Sequence, residues 1–360
     1  MTYRRTTVRL YHNHMKFLQK LLFPFACIYW FITFIRNKCF DWGILKQIRF
    51  DLPIISVGNI TVGGTGKTPH VLFIAQLLGS SLEIATLSRG YGRKTKGFLC
   101  ANEKTLVHEI GDEPFLIRQR LPHITVAVDE KRVHGVEQLR ALAPQLQAII
   151  LDDAFQHRHI QPGVHIVLVD YNRPLWRDCV FPAGFLREGA YALQRAHIVI
   201  VTKCPPTMST DEQELWRKKL HINKTQMLFF TTIRYGTVYN SQNDETVDSH
   251  KFFKNNTILM ISGVAQPNII EHYLHSQSAQ FTHLAFGDHH NYSAADYNTI
   301  RKHYNEQCKI LTTEKDVQKL LEITKGEFPL YVLPIEPHFL NNAQQDFETQ
   351  ILQFCASFHN

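Results

Sequence analysis

One stretch, SVGNITVGGTGKTPH at residues 56–70, constrains the fold of this 360-residue chain more than any other. An apolar, β-branched run leads into a glycine-rich loop, and an apolar helical segment follows it. Gly63, Gly64 and Gly66 allow positive φ angles and a close approach of the backbone to a ligand. A strand, a glycine loop and a helix in this order predict an α/β fold whose loop wraps backbone N–H groups around a polyphosphate.

The loop ends in Lys67 and Thr68, which offer a positive charge to the β- and γ-phosphates and a hydroxyl to Mg²⁺. Its spacing is not the usual Gly-x-x-x-x-Gly-Lys-Thr, because position 61 is Thr61. The GGTGKT core is similar to the variant loops of chromosome-partitioning and septum-positioning ATPases, although Val62 replaces their lysine before the glycine pair. The predicted phosphate-binding residues are Thr61, Val62, Gly63, Gly64, Thr65, Gly66, Lys67 and Thr68.

A second motif, AIILDDAFQHR, places Asp152 and Asp153 at the end of an apolar strand. Ligands of open α/β sheets bind at the carboxyl edge of the strands, and carboxylates there suit Mg²⁺. We therefore expect Thr68, Asp152 and Asp153 to serve the metal. Gln156 and His157 follow at once and are expected to face the same crevice as substrate-binding residues.

A third motif, SRGYGRK, carries Arg89 and Arg93 in a glycine-rich turn after another strand. Arginine forks suit phosphate or carboxylate, so both are predicted to bind substrate. The segment VTKCPP has Thr202 and Lys203, but Pro205 stands where a guanine site has an acid. This favours ATP as the nucleotide.

Asp112 in GDEP and His289 in GDHH are candidates for a base and its orienting partner. A hydroxyl that attacks a γ-phosphate needs an acceptor for its proton, usually a carboxylate. The sequence alone leaves open whether these two side chains meet.

Apolar strands that alternate with amphipathic helices predict a mostly parallel sheet covered on both faces. The chain is 44% hydrophobic and 20% charged, which suits a globular core. The expected organisation is an N-terminal membrane-associating helix (1–46), a P-loop core (47–238), a polar linker (239–256) and a smaller C-terminal α/β domain (257–360).

The positive charge of the chain is concentrated at its start. Residues 1–50 hold nine Lys or Arg and one acid, whereas the remaining 310 residues have a net charge of −1. A nucleic-acid partner is therefore not expected. The apolar run LLFPFACIYWFITFI (21–35) allows three interpretations: a buried core helix, a membrane span, or a helix that dips into one leaflet. We favour the last, with Tyr29 and Trp30 at the interface.

Seven scattered cysteines without a C-x-x-C pair indicate free thiols in a reducing compartment. The pairs of histidines lack the spacing of a structural zinc site.

Together these motifs resemble the tetraacyldisaccharide 4′-kinases of lipid A biosynthesis. The resemblance rests on VGNITVGGTGKTP, LSRGYGRK, GDEP, DDAFQHR, FPAGFLRE followed by IVIVTK, FGDHHNY and TTEKDV, from about residue 53 to 317. The chain departs from the family pattern at Ala154, where a glycine is usual, in HIQPG after QHR, and in YNRPLWRDCVFPAG.

The resemblance implies an enzyme that transfers the γ-phosphoryl group of ATP, with Mg²⁺, to the 4′-hydroxyl of a tetraacyl glucosamine disaccharide 1-phosphate. It implies that Asp112 and His289 form a catalytic pair, acting with Lys67, and it places Arg187 in the substrate site. The expected location is the cytoplasmic face of a bacterial inner membrane, with a lipid substrate and an anionic membrane surface as partners. We expect a monomer.

Two other functions remain open from the residues alone. A partitioning- or targeting-type ATPase switch would explain the GGTGKT loop and the apolar helix. A small-molecule kinase or a metallochaperone-type NTPase would use the histidines.

Overall fold

The computed structural model describes the backbone of residues 2–358 and the side chains of residues 19–358. In chain order the strands are β1 (Ile54–Asn59), β2 (Ile84–Ser88), β3 (Leu99–Cys100), β4 (Thr125–Val128), β5 (Ala148–Asp152), β6 (Val164–Asp170), β7 (Ile198–Thr202), β8 (Met227–Tyr235), β9 (Tyr239–Asn240), β10 (Thr257–Ser262), β11 (Gln280–Ala285), β12 (Cys308–Thr313), β13 (Leu330–Leu333) and β14 (Ile335–Phe339). The helices are α1 (Thr2–Asp41), α2 (Lys67–Gly79), α3 (Val107–Ile110), α4 (Asp112–Arg120), α5 (Arg132–Leu142), α6 (Thr210–Lys219), α7 (Ser249–Asn255), α8 (Pro267–Ser276), α9 (Ala294–His303), α10 (Val317–Thr324) and α11 (Gln344–Ala356).

The larger sheet has the order β14-β8-β7-β6-β1-β5-β2-β4-β3. The strands from β8 to β4 in this order are parallel, and only the edge strands β14 and β3 are antiparallel to their neighbours. Strand β1 lies near the centre, so the glycine loop leaves the middle of the sheet. This arrangement confirms the predicted α/β fold with a mostly parallel sheet.

The central strands are buried on both faces. In β1, Ile55 and Val57 pack into one core with α2, whereas Ile54 packs into a second core with α5. Because neighbouring side chains of a strand point to opposite faces, both must be apolar when helices cover both sides. This is why the sequence of β1 is a nearly continuous run of apolar residues.

The smaller sheet has the order β11-β10-β12-β13-β9, with β9 antiparallel to β13. It was expected to begin after a linker at 239–256, but that segment contains β9 and α7 and buries Phe252 and Phe253. The polar stretch is therefore part of the smaller unit and not a linker between domains.

The end of the chain also departs from the expected division at 257–360. Strand β14 pairs with β8 in the larger sheet. Phe347 and Ile351 of α11 pack into the same core as α2. The smaller unit is thus inserted between β8 and β14. The pairing of these two strands is long-range, and the local pattern of residues does not encode it.

Helix α1 continues on both sides of the predicted 21–35 segment and contains Pro24. Among its described side chains, Ala26, Asn37 and Phe40 are buried, and Tyr29 donates a hydrogen bond to the Arg187 carbonyl at 2.8 Å. Eight large apolar side chains of the helix are exposed, which rules out the interpretation as a buried core helix. They are Leu21, Phe23, Phe25, Ile28, Trp30, Phe31, Ile32 and Ile35.

Within the described part of the chain, no helix combines the length and the apolar character needed to cross a membrane.

Candidate active site

The glycine loop joins β1 to α2 in a conformation that requires glycine. Gly63 has a φ of 98° and Gly66, which precedes the first residue of α2, has a φ of 84°. A residue with a Cβ atom would be strained at either position. Since α2 begins at Lys67, the loop presents a helix N-terminus, which favours an anionic ligand.

Some loop residues are engaged with the surrounding protein. The Thr65 hydroxyl accepts a hydrogen bond from Asn59 Nδ2 at 2.8 Å, and its carbonyl accepts one from the Thr202 hydroxyl at 2.9 Å. The Val62 N–H donates to the Phe185 carbonyl at 2.7 Å. These contacts hold the shape of the loop, so the Thr65 side chain and the Val62 N–H are not turned toward a ligand.

Asp153 organises the charges beside the loop. Arg187 Nη1 donates to both carboxylate oxygens, at 2.9 and 3.0 Å, and Lys67 Nζ lies 3.7 Å from Oδ1. Burial favours the neutral acid, but Lys67 and Arg187 outweigh burial and hold the pKa of Asp153 below its ordinary value. Asp153 is therefore a carboxylate that positions two cations next to the loop.

Asp152, the last residue of β5, has a different environment. Its carboxyl is buried, and its Oδ1 atom has no hydrogen-bond partner. Burial, followed by repulsion from Asp153, raises the pKa of Asp152 to about 7. An unpartnered buried carboxylate oxygen fits a cation, so the residues present suit a divalent metal.

The carboxylates at this edge are oxygen donors, the type of ligand that hard cations such as Mg²⁺ prefer. Among the residues whose side chains are described, no group of three or more His, Cys, Asp or Glu surrounds a possible metal position. Mg²⁺ commonly keeps several waters and shares the phosphates of its nucleotide, so one or two carboxylates are enough.

Replacing Asp152 with asparagine should stabilise the protein in the absence of metal and nucleotide. The folded pKa of about 7 lies above the ordinary value of 3.8, so the folded state binds more protons than the unfolded state between these values. Wild-type stability therefore falls as the pH rises through this window, and the full penalty is present above pH 7. We expect Asp152→Asn to raise the free energy of unfolding by about 2 kcal/mol at pH 8, and by less at pH 5.

Urea denaturation in a chelating buffer at both pH values measures this effect. Asp153→Asn is the matched control and should destabilise the protein, because the pKa of Asp153 is shifted downward. Equal stability of Asp152→Asn and wild type at pH 8 would contradict the prediction.

Asp112 and His289 meet, although 177 positions separate them in the chain. Asp112 is the first residue of α4, and His289 lies in the loop after β11. His289 Nδ1 lies 3.1 Å from Asp112 Oδ2, and His289 Nε2 lies 3.3 Å from Glu113 Oε1. The pair therefore forms where the carboxyl ends of strands from both sheets face each other.

The charges around the pair favour its ionised form. The hydrogen bond to Asp112 outweighs burial and raises the pKa of His289. Burial opposes ionisation of Asp112, but the hydrogen bonds and positive charges of His289 and Lys319 together outweigh it and hold the Asp112 pKa below its ordinary value. An acid and an imidazole coupled in this way titrate together and exchange protons as one unit.

The residues predicted to bind substrate have different environments. Arg89 is exposed, and burial together with the charges of Arg132 and Arg89 lowers the pKa of His157 to about 4. Gln156 Nε2 donates to the carbonyl of Asn59, where β1 ends. These contacts place Gln156 beside the glycine loop and His157 near Arg89.

Arg93 does not share this environment. Its Nη2 atom donates to Glu130 Oε1 and to the Gly97 carbonyl, both at 2.6 Å. The side chain is almost fully buried, with 2% of its surface exposed. Arg93 therefore fixes its own loop, which argues against the expected contact with substrate.

Several site residues were not singled out from the sequence. Glu113 follows Asp112 directly, and Lys315 and Lys319 lie in and after the TTEKD motif, so an adjacent acid and a quoted motif were the available signals. Glu188 is the last residue of the quoted FPAGFLRE motif, which was the available signal for it. It is a buried acid that accepts hydrogen bonds from Asn37 of α1, Gln156 and Arg195.

A family model identifies the relatives of this site. The model described as LpxK, tetraacyldisaccharide-1-P 4′-kinase, matches residues 18–356. The chain belongs to the tetraacyldisaccharide 4′-kinase family. This confirms the resemblance that the motifs indicated and makes a partitioning ATPase or a metallochaperone-type NTPase the wrong family for this chain.

Individual members of the tetraacyldisaccharide 4′-kinase family match over almost their whole length. The tetraacyldisaccharide 4′-kinases of Phocaeicola vulgatus and Flavobacterium johnsoniae are each 43% identical to this chain, over 350 and 341 residues. The alignments cover 94% of this chain and 95% and 98% of the two relatives. The crystal structure of the "apo" form of LpxK from Aquifex aeolicus in complex with ATP matches with a TM-score of 0.75 and 29% identity, over 94% of this chain and 99% of that one.

Proposed function

We propose that this protein transfers the γ-phosphoryl group of ATP to the 4′-hydroxyl of a tetraacyl glucosamine disaccharide 1-phosphate. The observation that carries the proposal is the Asp112–His289 hydrogen bond, formed at the same edge of the sheets as the Lys67–Thr68 loop. A phosphate loop alone would suit many nucleotide-binding proteins, whereas an acid with an orienting imidazole suits activation of a hydroxyl.

Each residue has a role that follows from its place. The loop and Lys67 bind the phosphates of ATP, and Asp112 accepts the proton of the sugar hydroxyl while His289 orients it. Asp152, Thr68 and Asp153 would hold Mg²⁺, which would neutralise charge on the phosphates. Asp152 would be the direct carboxylate ligand, because Asp153 is already paired with Arg187 and Lys67.

The lipid acceptor binds on the side of the transferred phosphoryl group that faces away from ATP. Arg89, Gln156 and His157 bind the anionic disaccharide, and Arg187 orients Asp153 next to the phosphates. All of these residues belong to one chain, so we infer that a monomer is sufficient for activity.

The N-terminal helix brings this site to its lipid. At 100° per residue, Leu21, Phe25, Ile28, Ile32 and Ile35 form one stripe opposite the buried face of α1. Lys20, Arg36 and Lys38 provide positive charge along the same helix. We infer that α1 lies in one leaflet of an anionic membrane, the cytoplasmic face of the inner membrane, because a lipid with four acyl chains does not leave a bilayer readily.

Replacing Ile28 and Ile32 with serine should weaken binding to vesicles that contain anionic phospholipid by roughly tenfold or more. Both side chains are about 60% exposed, so the fold and nucleotide binding should be preserved. Co-sedimentation with the vesicles measures the effect. Leu142→Ser/Leu215→Ser is the matched control, since these leucines of α5 and α6 are 59% and 52% exposed. Equal losses in the two double variants would contradict a membrane role for α1.

The proposed function is tested by incubating the protein with Mg-ATP and a detergent-dispersed tetraacyl disaccharide 1-phosphate. We expect a bis-phosphorylated lipid with the new phosphate at the 4′-position. ATP hydrolysis without this product would overturn the proposal.

A further inference from the structure

Two lysines of the smaller unit contact two neighbouring acids of the larger unit. Lys319 Nζ donates to Asp112 Oδ2 at 2.7 Å, and Lys315 Nζ donates to Glu113 Oε1 at 2.9 Å. Lys315 lies before α10 and Lys319 is the third residue of that helix, whereas both acids lie in the first turn of α4. The two sheets are therefore joined by ion pairs at the candidate catalytic pair itself.

Lys319 has a second hydrogen-bond partner, which links it to the loop that carries His289. Its ammonium group also donates to the carbonyl of His290 at 3.0 Å, which is the residue after His289. One cation thus bonds both the Asp112 carboxylate and the loop that carries His289. Only 8% of the Lys319 side chain is exposed, so solvent screens these bonds weakly.

Both ends of this bridge are held by further contacts. On one side, Asp316 Oδ2 accepts hydrogen bonds from the Gly263 N–H at 2.9 Å and from the Thr313 hydroxyl at 2.6 Å, which fixes the start of α10. On the other side, His290 Nε2 lies 3.0 Å from Asp296 Oδ2. A lysine is a flexible side chain, but here its base and one acceptor are fixed, so its charge is directed to one oxygen of Asp112.

We propose that Lys319 is a positioning residue that holds Asp112 and His289 in register across the junction of the two sheets. This inference rests on the proposed function, in which Asp112 accepts the proton of the lipid hydroxyl. Because Lys319 and His289 both bond Oδ2, the Oδ1 atom of Asp112 is left to receive that proton. If the ammonium group is removed, the carboxylate can rotate, and the loop carrying His289 loses its tie to α10.

The protonation of His289 gives the test a readout that separates the position of Asp112 from the charge of Lys319. The other titratable groups that face the pair are Glu113, Lys315, Asp288, Tyr292 and Tyr91, whose ring packs against His289. The hydrogen bond to Asp112 raises the pKa of His289, so if removal of Lys319 lets Asp112 turn away, His289 should lose its proton at a lower pH. Loss of the positive charge of Lys319 alone would act in the opposite direction.

Three variants of the full-length protein separate position from charge: Lys319→Met, Lys319→Arg and, as a matched control, Lys302→Met on the exposed end of α9. We expect Lys319→Met to lower kcat for lipid phosphorylation roughly tenfold or more, with KM for ATP changed by less than about threefold. Lys319→Arg should recover part of the rate because it keeps the charge, and Lys302→Met should behave as wild type.

The protonation midpoint of His289 is measured by NMR of ¹³C-labelled histidine, with the resonance assigned by its loss in His289→Asn. It should fall in Lys319→Met and stay near the wild-type midpoint in Lys319→Arg. If Lys319→Met does not fold, Lys319→Gln, which keeps donors but not charge, takes its place.

An unchanged or raised midpoint in Lys319→Met, or the same loss of kcat in Lys302→Met, would overturn the inference. Absence of phosphorylated lipid with the wild-type protein would instead overturn the proposed function, and the titration does not depend on that substrate.

Discussion

Replacing Lys67 with alanine should reduce phosphoryl transfer by roughly a thousandfold or more. Lys67 is the first residue of α2, directly after the loop, and its Nζ lies 3.7 Å from Asp153. Its removal takes away the positive charge that offsets the charge developing on the transferred phosphate. It also leaves Asp152 and Asp153 with less compensation, which should weaken ATP binding.

The measurement is the rate of formation of 4′-phosphorylated lipid from Mg-ATP, together with ATP binding by calorimetry. Lys218→Ala, which removes an exposed lysine near the end of α6, controls for the loss of one positive charge. A Lys67→Ala protein that keeps more than about a tenth of the wild-type rate would show that the loop does not act as a phosphate-binding loop.

Asp112→Asn should lower kcat by roughly a hundredfold or more while KM for ATP changes by less than about threefold. Asparagine keeps the size of the side chain and can still accept a hydrogen bond from Lys319. It lacks the negative charge that accepts a proton and that pairs with protonated His289. An effect on kcat with little effect on nucleotide affinity is the signature of a group needed in the transition state.

Steady-state kinetics with varied ATP and lipid separate these parameters, with the exposed Asp211→Asn as a control for charge. Near-normal turnover of Asp112→Asn would remove Asp112 from its role as proton acceptor. An equal loss of ATP affinity and turnover would assign it to nucleotide binding instead.

Much of the site was predictable because it is encoded locally. The strand, the glycine loop and the helix that contain Gly63, Gly66 and Lys67 are continuous in sequence, and the positive φ angles are the ones that glycine permits. The acids at the end of β5 were predictable for the same reason, since parallel strands bring their carboxyl ends to one edge.

The pairing of Asp112 with His289 was available only as a hypothesis from the sequence. The two residues are brought together by the packing of two sheets, and no local pattern encodes that approach. Arg93 shows that a local motif can also mislead. An arginine in a glycine-rich loop suits phosphate by its residue type, but here it is bound by Glu130, which lies 37 positions away.

The sequence by itself determined the mostly parallel α/β fold, the glycine loop with Lys67 and Thr68, and the family. These features depend on residue type and short spacing, which set backbone conformation and the periodicity of apolar residues. The tertiary structure alone decided that β14 and α11 return to the larger sheet, that α1 turns an apolar stripe outward, and that Lys319 reaches Asp112. Each of these depends on contacts between residues far apart in the chain, where the cost of closing a long loop is offset only by burial and pairing in the complete fold.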